Sequence, residues 1–158
     1  MKILPVSPEQ RSKIDAFIVQ QWYSLQMVVH GESIDLGTAD GWYASQSDEI
    51  IGLLTYRIVD DEMEILSLDS LQEHQGIGTA LLQKAVAKAK DSLCSRIWLI
   101  TTNDNLQALR FYQKREFELV CIYRNAVDEA RKKKPSIPFL GMDGIPLKHE
   151  MELQMLLL

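Results

Sequence analysis

LSLDSLQEHQGIGTALL, residues 66–82, is the stretch whose reading decides the fold. Its first half reads as a buried strand, and its second half opens a helix directly after the turn Gly76-Ile77-Gly78. A helix that starts behind a glycine turn gathers unpaired backbone N–H groups and the positive end of its dipole in one place. Glycines there let a ligand come close to the main chain. Phosphate or pyrophosphate is the natural occupant. A dinucleotide fingerprint would need a third glycine at position 81, and Leu81 stands there instead, so a nicotinamide or flavin site is a poor match.

Upstream of this stretch the chain reads as strands. Trp42 to Gln46, Ile50 to Val59 and Glu62 to Leu68 are separated by the turn-like Ser47-Asp48-Glu49 and Asp60-Asp61, which predicts an antiparallel meander. Within the third strand the apolar phase slips, with Met63 and Ile65 at odd positions and Leu66 and Leu68 at even ones. Such a slip in a period-two pattern marks either a β-bulge near Leu66 or a central strand that is apolar on both faces. Before the meander, Lys2 to Val6 predicts an opening strand. Ser7-Pro8-Glu9-Gln10 predicts a capped helix start, and Ile14, Phe17, Ile18 and Trp22 give that helix one buried face. Ser24 to Asp40 has no clear period and reads as a short helix or a loop over a site.

Downstream, Ile77 to Lys90 is a helix rich in alanine and leucine, and Arg96 to Thr101 is a short strand. The spacing Asp104-x-x-Gln107 offers a capping box for a helix over Asn105 to Lys114. Phe117 to Tyr123 is a strand and Asn125 to Lys134 a helix. Its basic end, Arg131-Lys132-Lys133-Lys134, suits the negative end of a dipole and reads as a solvated terminus. Pro135 to Pro146 is loop, with Asp143-Gly144 as a turn, and Glu150 to Met155 alternates as a last strand. A meander followed by strands alternating with helices predicts an α/β (α+β) fold. The expected core is a mixed, mostly antiparallel central sheet of about six to seven strands with helices on both faces.

Length and composition restrict the function. At 158 residues the chain is expected to form one domain over residues 1–158, and its 46% hydrophobic and 25% charged content is that of an ordinary globular protein. Met1 to Pro8 has no apolar signal-peptide core and no run is long enough to span a bilayer, so the expected address is the cytoplasm, away from membranes. Cys94 and Cys121 lie in apolar surroundings and read as reduced, buried thiols. His30, His74 and His149 show no metal spacing, and no metal is expected. A net charge of -5 argues against nucleic acid as the main partner. The aromatics Trp22, Tyr23, Trp42 and Tyr43 read as core rings, with an acceptor pocket as the alternative.

With both halves placed, the chain resembles the GNAT superfamily of N-acetyltransferases. Glu73-His74-Gln75-Gly76-Ile77-Gly78 resembles the family's acetyl-CoA loop, commonly Arg or Gln, two residues, Gly, one residue, then Gly or Ala. Asn105-Leu106-Gln107-Ala108-Leu109-Arg110-Phe111-Tyr112 matches its Asn-x-x-Ala-x-x-Phe-Tyr motif, and Lys114-Arg115-Glu116-Phe117 follows where the family has Lys-x-Gly-Phe. The match covers roughly residues 50 to 123 and departs at three points. Glu73 stands where the family has a cation or an amide, Ser70 replaces a common proline, and Glu116 replaces a glycine, which matters where the turn needs positive φ.

The resemblance implies acetyl-CoA as co-substrate and transfer of its acetyl group to a primary amine, of a small molecule in the first instance, by direct attack in a ternary complex. It assigns the pyrophosphate to Glu73, His74, Gln75, Gly76, Ile77, Gly78 and Thr79. Main-chain groups of Ser67 and Leu68 would meet the pantetheine arm and thioester beside the bulge. Asn105 and Ala108 would hold the arm further along, and Tyr112 would protonate the departing thiolate. Glu64, on the strand before the bulge, is the first candidate for general base, ahead of Asp69, His30, Glu32 and Glu150. A protein or peptide N-acetyltransferase and a non-catalytic acyl-CoA binding module are the alternatives. An exposed strand near the C-terminus could also pair with a second copy to give a homodimer.

Overall fold

The computed structural model describes residues 1–72 and 74–157. Nine strands and four helices follow in the order β1 (Lys2–Pro5), α1 (Arg11–Trp22), β2 (Gln26–Val29), β3 (Glu32–Asp35), β4 (Asp40–Gln46), β5 (Glu49–Val59), β6 (Glu62–Ser70), α2 (Ile77–Asp91), β7 (Arg96–Thr102), α3 (Leu106–Gln113), β8 (Glu118–Tyr123), α4 (Ala126–Lys133) and β9 (Glu150–Leu156). Seven of the strands form one sheet in the order β1-β4-β5-β6-β7-β9-β8, and β2 and β3 form a separate two-stranded ribbon. The pairs β1–β4, β4–β5, β5–β6 and β8–β9 are all antiparallel, so the expected mixed, mostly antiparallel sheet is present. The chain divides into two compact units, one of residues 1–27, 35–97 and 157, the other of residues 28–34 and 98–156.

In the first unit the meander is flanked by a helix on each face. Leu53, Thr55 and Arg57 alternate onto one face of β5, and Gly52, Leu54 and Tyr56 onto the other. Helix α2 lies against the second face, where Ile77 and Leu81 approach Gly52 so closely that a Cβ there would stand 2.6 Å from Ile77 Cγ2. Helix α1 packs Ile14, Phe17 and Ile18 inward, and the indole of Trp22 reaches β6 on the first face. Leu53, Leu54, Met63 and Ile97 are fully buried here, each contributing roughly 1.5–3 kcal/mol of transfer free energy.

Several local expectations are corrected. The Ser7 side chain makes no cap; Ser7 enters with extended backbone, and a 3-10 turn over Pro8–Gln10 leads into α1 through main-chain bonding, Gln10 N–H to Ser7 O at 3.1 Å. Trp22 belongs to the rim, not to a buried face, and is 39% exposed. Tyr23 is 90% exposed and ends α1 in left-handed backbone with φ 65°. Within Ser24 to Asp40 lie the β2–β3 ribbon, whose turn residues His30 and Gly31 both have positive φ as a tight hairpin requires, a 3-10 turn over Leu36–Thr38 and the start of β4 at Asp40.

In the second unit Val127, Ala130 and Leu153 supply core. The basic end of α4 is not simply solvated. Arg131 is buried and donates to the carbonyls of Ile137, Pro138 and Leu147 and to Asp128, while its guanidinium covers the Phe139 ring. One arginine thereby satisfies three carbonyls in and beside the proline-rich loop. Lys133 reaches the carbonyl of Gly31 at 2.6 Å, so it too is engaged. Cys94 is buried, Cys121 is half-buried, and both thiols are free.

Candidate active site

Strand β6 carries the bulge that the phase slip suggested. Thr55 pairs with Ser67 and Tyr56 with Ile65, which leaves Leu66 as the extra residue. Cross-strand partners share a face, so Glu64, Ser67 and Asp69 line up with Arg57, Thr55 and Leu53 on the α1 side of the sheet. Each has a polar partner. Arg57 Nε–H donates to Glu64 Oε1 at 2.8 Å, with Glu64 only 4% exposed. The hydroxyls of Thr55 and Ser67 share a 2.6 Å hydrogen bond. Trp22 Nε1–H donates to Asp69 Oδ2 at 2.7 Å. Burial pushes the Asp69 carboxyl up to about 6 from 3.8, against the lowering effect of the Trp22 bond. Leu68 turns the opposite way, toward α2, in register with Leu54.

The turn after β6 is held from below and open above. Ile77 and Leu81, buried at the start of α2, dock on Gly52, so the glycine that permits close helix–strand packing lies on the strand. That explains why Leu81 can replace the third glycine of a dinucleotide fingerprint. His74, Gln75 and Gly76 are exposed, and His74 and Gly76 have φ of 61° and 74°. Gly76 is the N-cap residue of α2, no side chain among the described residues caps that helix, and the first main-chain bond runs from Ala80 N–H to Gly76 O at 2.9 Å. A Cβ on Gly76 would meet nothing within 4 Å. An uncapped helix start with open space above its glycine keeps its dipole and first-turn amides available to an anion. Gly78 and Thr79 follow within the first turn of α2. Glu73 lies outside the described residues.

In the second unit, Asn105 is the N-cap of α3, its Oδ1 accepting from Ala108 N–H at 3.0 Å. The expected capping role of Asp104 is therefore corrected. Asp104 accepts from Thr102 Oγ1 and from Met142 N–H, and Gly141 is packed so tightly on it that a Cβ there would fall 2.1 Å from Asp104 Oδ2. Capping uses only the oxygen of the Asn105 amide, which leaves its NH2 as the donor end. Tyr112 is 5% exposed and meets Phe111 and Phe117 edge-on, each with ring centroids 5.2 Å away. Arg115 and Phe117 donate their N–H groups to the Tyr112 carbonyl, closing the turn that follows. That turn places Glu116 at φ 71°, the left-handed backbone for which the Lys-x-Gly-Phe pattern keeps a glycine.

The sequence pattern described as the Acetyltransferase (GNAT) family matches residues 7–117. The chain belongs to the GNAT family of acetyltransferases. It is 43% identical over 152 residues to the uncharacterized protein YxbD of Bacillus subtilis (strain 168), covering 96% of both chains. It is 41% identical over 152 residues to the uncharacterized protein YdhI of the same organism, covering 96% of this chain and 95% of that one. Among solved structures it is similar to a GNAT family acetyltransferase from Elizabethkingia anophelis with acetyl-CoA bound, at a TM-score of 0.70 and 22% identity over 99% of this chain and 97% of that one. It is also similar to the IAA acetyltransferase from Bacillus cereus ATCC 14579, at a TM-score of 0.69 and 20% identity over 99% and 100% of the two chains. At these identities the structural likeness establishes the GNAT fold.

This GNAT chain also carries a polar cluster in which His30 and Glu150, both secondary candidates for general base in the sequence, meet Glu152 and Tyr123. Glu150 and Glu152, two apart on β9, are both buried, at 3% and 6% exposure. Both Glu150 oxygens accept from the His30 N–H at the hairpin tip, at 3.1 and 3.2 Å. Burial raises the Glu150 carboxyl, and the His30 backbone bond and charge oppose that rise. Tyr123 O–H donates to Glu152 Oε1 at 2.7 Å, and the His30 ring stands edge-on to Tyr123 with centroids 4.6 Å apart. Hydrogen bonding to Cys121, then to Glu152, pushes the Tyr123 phenol well above its ordinary range. The alternation of β9 was visible in the sequence and set Glu150 and Glu152 on one face of the strand, without showing that this face is buried.

Proposed function

We propose that residues 1–158 work as one acetyltransferase domain that moves the acetyl group of acetyl-CoA to a primary amine of a small molecule, by direct attack in a ternary complex in the cytoplasm. The observation that carries this reading is the uncapped, open start of α2 at Gly76, together with the positive φ that only glycine adopts without strain. His74, Gln75, Gly76, Ile77, Gly78 and Thr79 would hold the pyrophosphate, with Glu73 beside them.

Ser67 and Leu68, just past the bulge, would offer main-chain groups to the pantetheine arm and to the thioester oxygen, where negative charge develops during attack. The NH2 of Asn105, which the cap does not use, and the first turn of α3 at Ala108 would bind the arm further along. Tyr112 would give its phenolic proton to the sulfur as the carbon–sulfur bond breaks. Glu64 and Asp69, on the α1 side of β6, are the two carboxylates available to take the acceptor's proton.

The test pairs binding with turnover. Acetyl-CoA should raise the melting temperature where NAD does not, since a ligand that binds only the folded state stabilises it. A panel of small amines and peptides, followed by thiol release, should show turnover with a small amine. Tyr112→Phe should lower kcat by about 10²-fold with acetyl-CoA binding kept. Stabilisation by acetyl-CoA without turnover on any amine would leave an acyl-CoA binding module, and turnover confined to peptides would make the acceptor a protein terminus or side chain. Unchanged kcat in Tyr112→Phe would remove Tyr112 as the acid.

A further inference from the structure

We propose that Asp69, held by the Trp22 indole, takes the proton of a cationic acceptor amine, and that Glu64 does not. The inference rests on the transferase reading and names both its base and the charge of its acceptor. Glu64 and Asp69 share one face of β6, yet their partners differ in kind. Glu64 is tied to a guanidinium at 2.8 Å, and a proton on that carboxylate would cost it the ion pair. Asp69 accepts from a neutral N–H on Oδ2 alone. Its Oδ1 makes no hydrogen bond to another described residue, so a proton can arrive there without breaking anything.

Exposure points the same way. Glu64 is buried, whereas Asp69 is half-buried and bonded to Trp22 at the exposed end of α1. An ammonium group brought to that rim meets a carboxylate held on one oxygen by the Trp22 indole, and the opposite charge attracts it. Tyr23, next in the chain, is 90% exposed and holds left-handed backbone, φ 65°, which for a bulky side chain is strained.

The proton balance closes. An ammonium carries one proton too many to attack; Oδ1 of Asp69 takes it and later releases it to solvent. The freed lone pair forms the carbon–nitrogen bond as the carbon–sulfur bond breaks. The nitrogen then sheds a second proton, and one proton ends on the sulfur. A carboxyl at about 6 is closer to a primary ammonium, near 10, than an ordinary carboxyl is. The gap narrows by about two units, roughly a hundredfold in the equilibrium that frees the lone pair. At neutral pH the group is still mostly ionised and ready to accept.

Asp69→Asn, Glu64→Gln and Trp22→Phe, assayed as kcat/KM against pH with the best amine of the panel, test the proposal. The wild type should lose activity below about pH 6, and Asp69→Asn should fall by about 10²-fold and lose that acidic limb, with acetyl-CoA still raising the melting temperature. Trp22 is a positioning residue whose bond lowers the Asp69 carboxyl, so Trp22→Phe should move the limb to higher pH, a shift that loss of packing alone would not cause. Neutral acceptors of the same shape should bind worse than cationic ones in the wild type and equally in Asp69→Asn. If Asp69→Asn keeps the limb and stays within threefold of wild type, or Glu64→Gln abolishes the limb instead, the proposal is overturned and the transferase reading stands. A wild type inert toward every amine overturns both.

Discussion

Replacing Asp69 with Asn should make the protein more stable, and more so as the pH rises. The folded-state carboxyl lies at about 6 against 3.8 for the free group, so the fold holds this proton more tightly than the unfolded chain does. The associated stability is therefore fully present below pH 3.8 and is lost as pH climbs through about 6. Two pKa units correspond to about 3 kcal/mol between those limits. Asn resembles the protonated acid, keeps an oxygen for Trp22 Nε1–H, and never ionises.

Its advantage over wild type should be about 1.5 kcal/mol near pH 5 and about 3 kcal/mol near pH 8. Urea unfolding at the two pH values reads this directly, as a gap in midpoint that widens with pH while the slope stays common to both proteins. A gap that is constant with pH, or one that closes as pH rises, would refute the argument that burial holds this carboxyl up. The same change that stabilises should slow turnover, the expected behaviour of a charge kept in an unfavourable place for its chemistry.

Two further substitutions test the frame of the site. Glu116→Gly should stabilise the protein by about 1 kcal/mol, because it relieves a left-handed position at φ 71°; thermal unfolding should show a rise of about 2–4 °C. Gly52→Ala should cost about 1–3 kcal/mol, since its methyl would come 2.6 Å from Ile77 Cγ2 and 3.2 Å from Leu81 Cδ1. It should also weaken acetyl-CoA protection in a melting assay by displacing the start of α2; a full shift with acetyl-CoA in a destabilised variant would show that the turn moves independently of its packing.

Elements whose apolar residues repeat at one period were legible in the sequence: the β4–β6 meander, α2, β7 and β9 stand within a few residues of their predicted bounds. The bulge at Leu66 was one of two readings of the phase slip, and the pairing register distinguishes them. The β2–β3 ribbon was not legible, because its strands are four residues long and its turn is His30-Gly31, which lacks the usual Asn-Gly signal. Trp22 kept helical spacing yet sits on the rim, since period reports a face and not how far that face extends. Arg131 was misjudged for a related reason: a charged side chain reads as exposed unless its partners are known, and those partners include a carbonyl 16 positions away.

The bulge also separates two contributions that the sequence presents together. Register on β5 puts Glu64, Ser67 and Asp69 on one face and Ile65 and Leu68 on the other, with Leu66 as the residue that pairs with nothing. Without Leu66 the strand would be regular, and each of those side chains would keep its face, because removing the extra residue restores the period-two alternation across that point. The polar row under Trp22 therefore does not depend on the bulge. What the extra residue alone changes is the main chain, where it breaks the ladder between Ile65 and Ser67. If β6 serves acyl transfer, its side chains handle the acceptor's proton and its interrupted backbone handles the thioester oxygen, and selection can tune the first without disturbing the second.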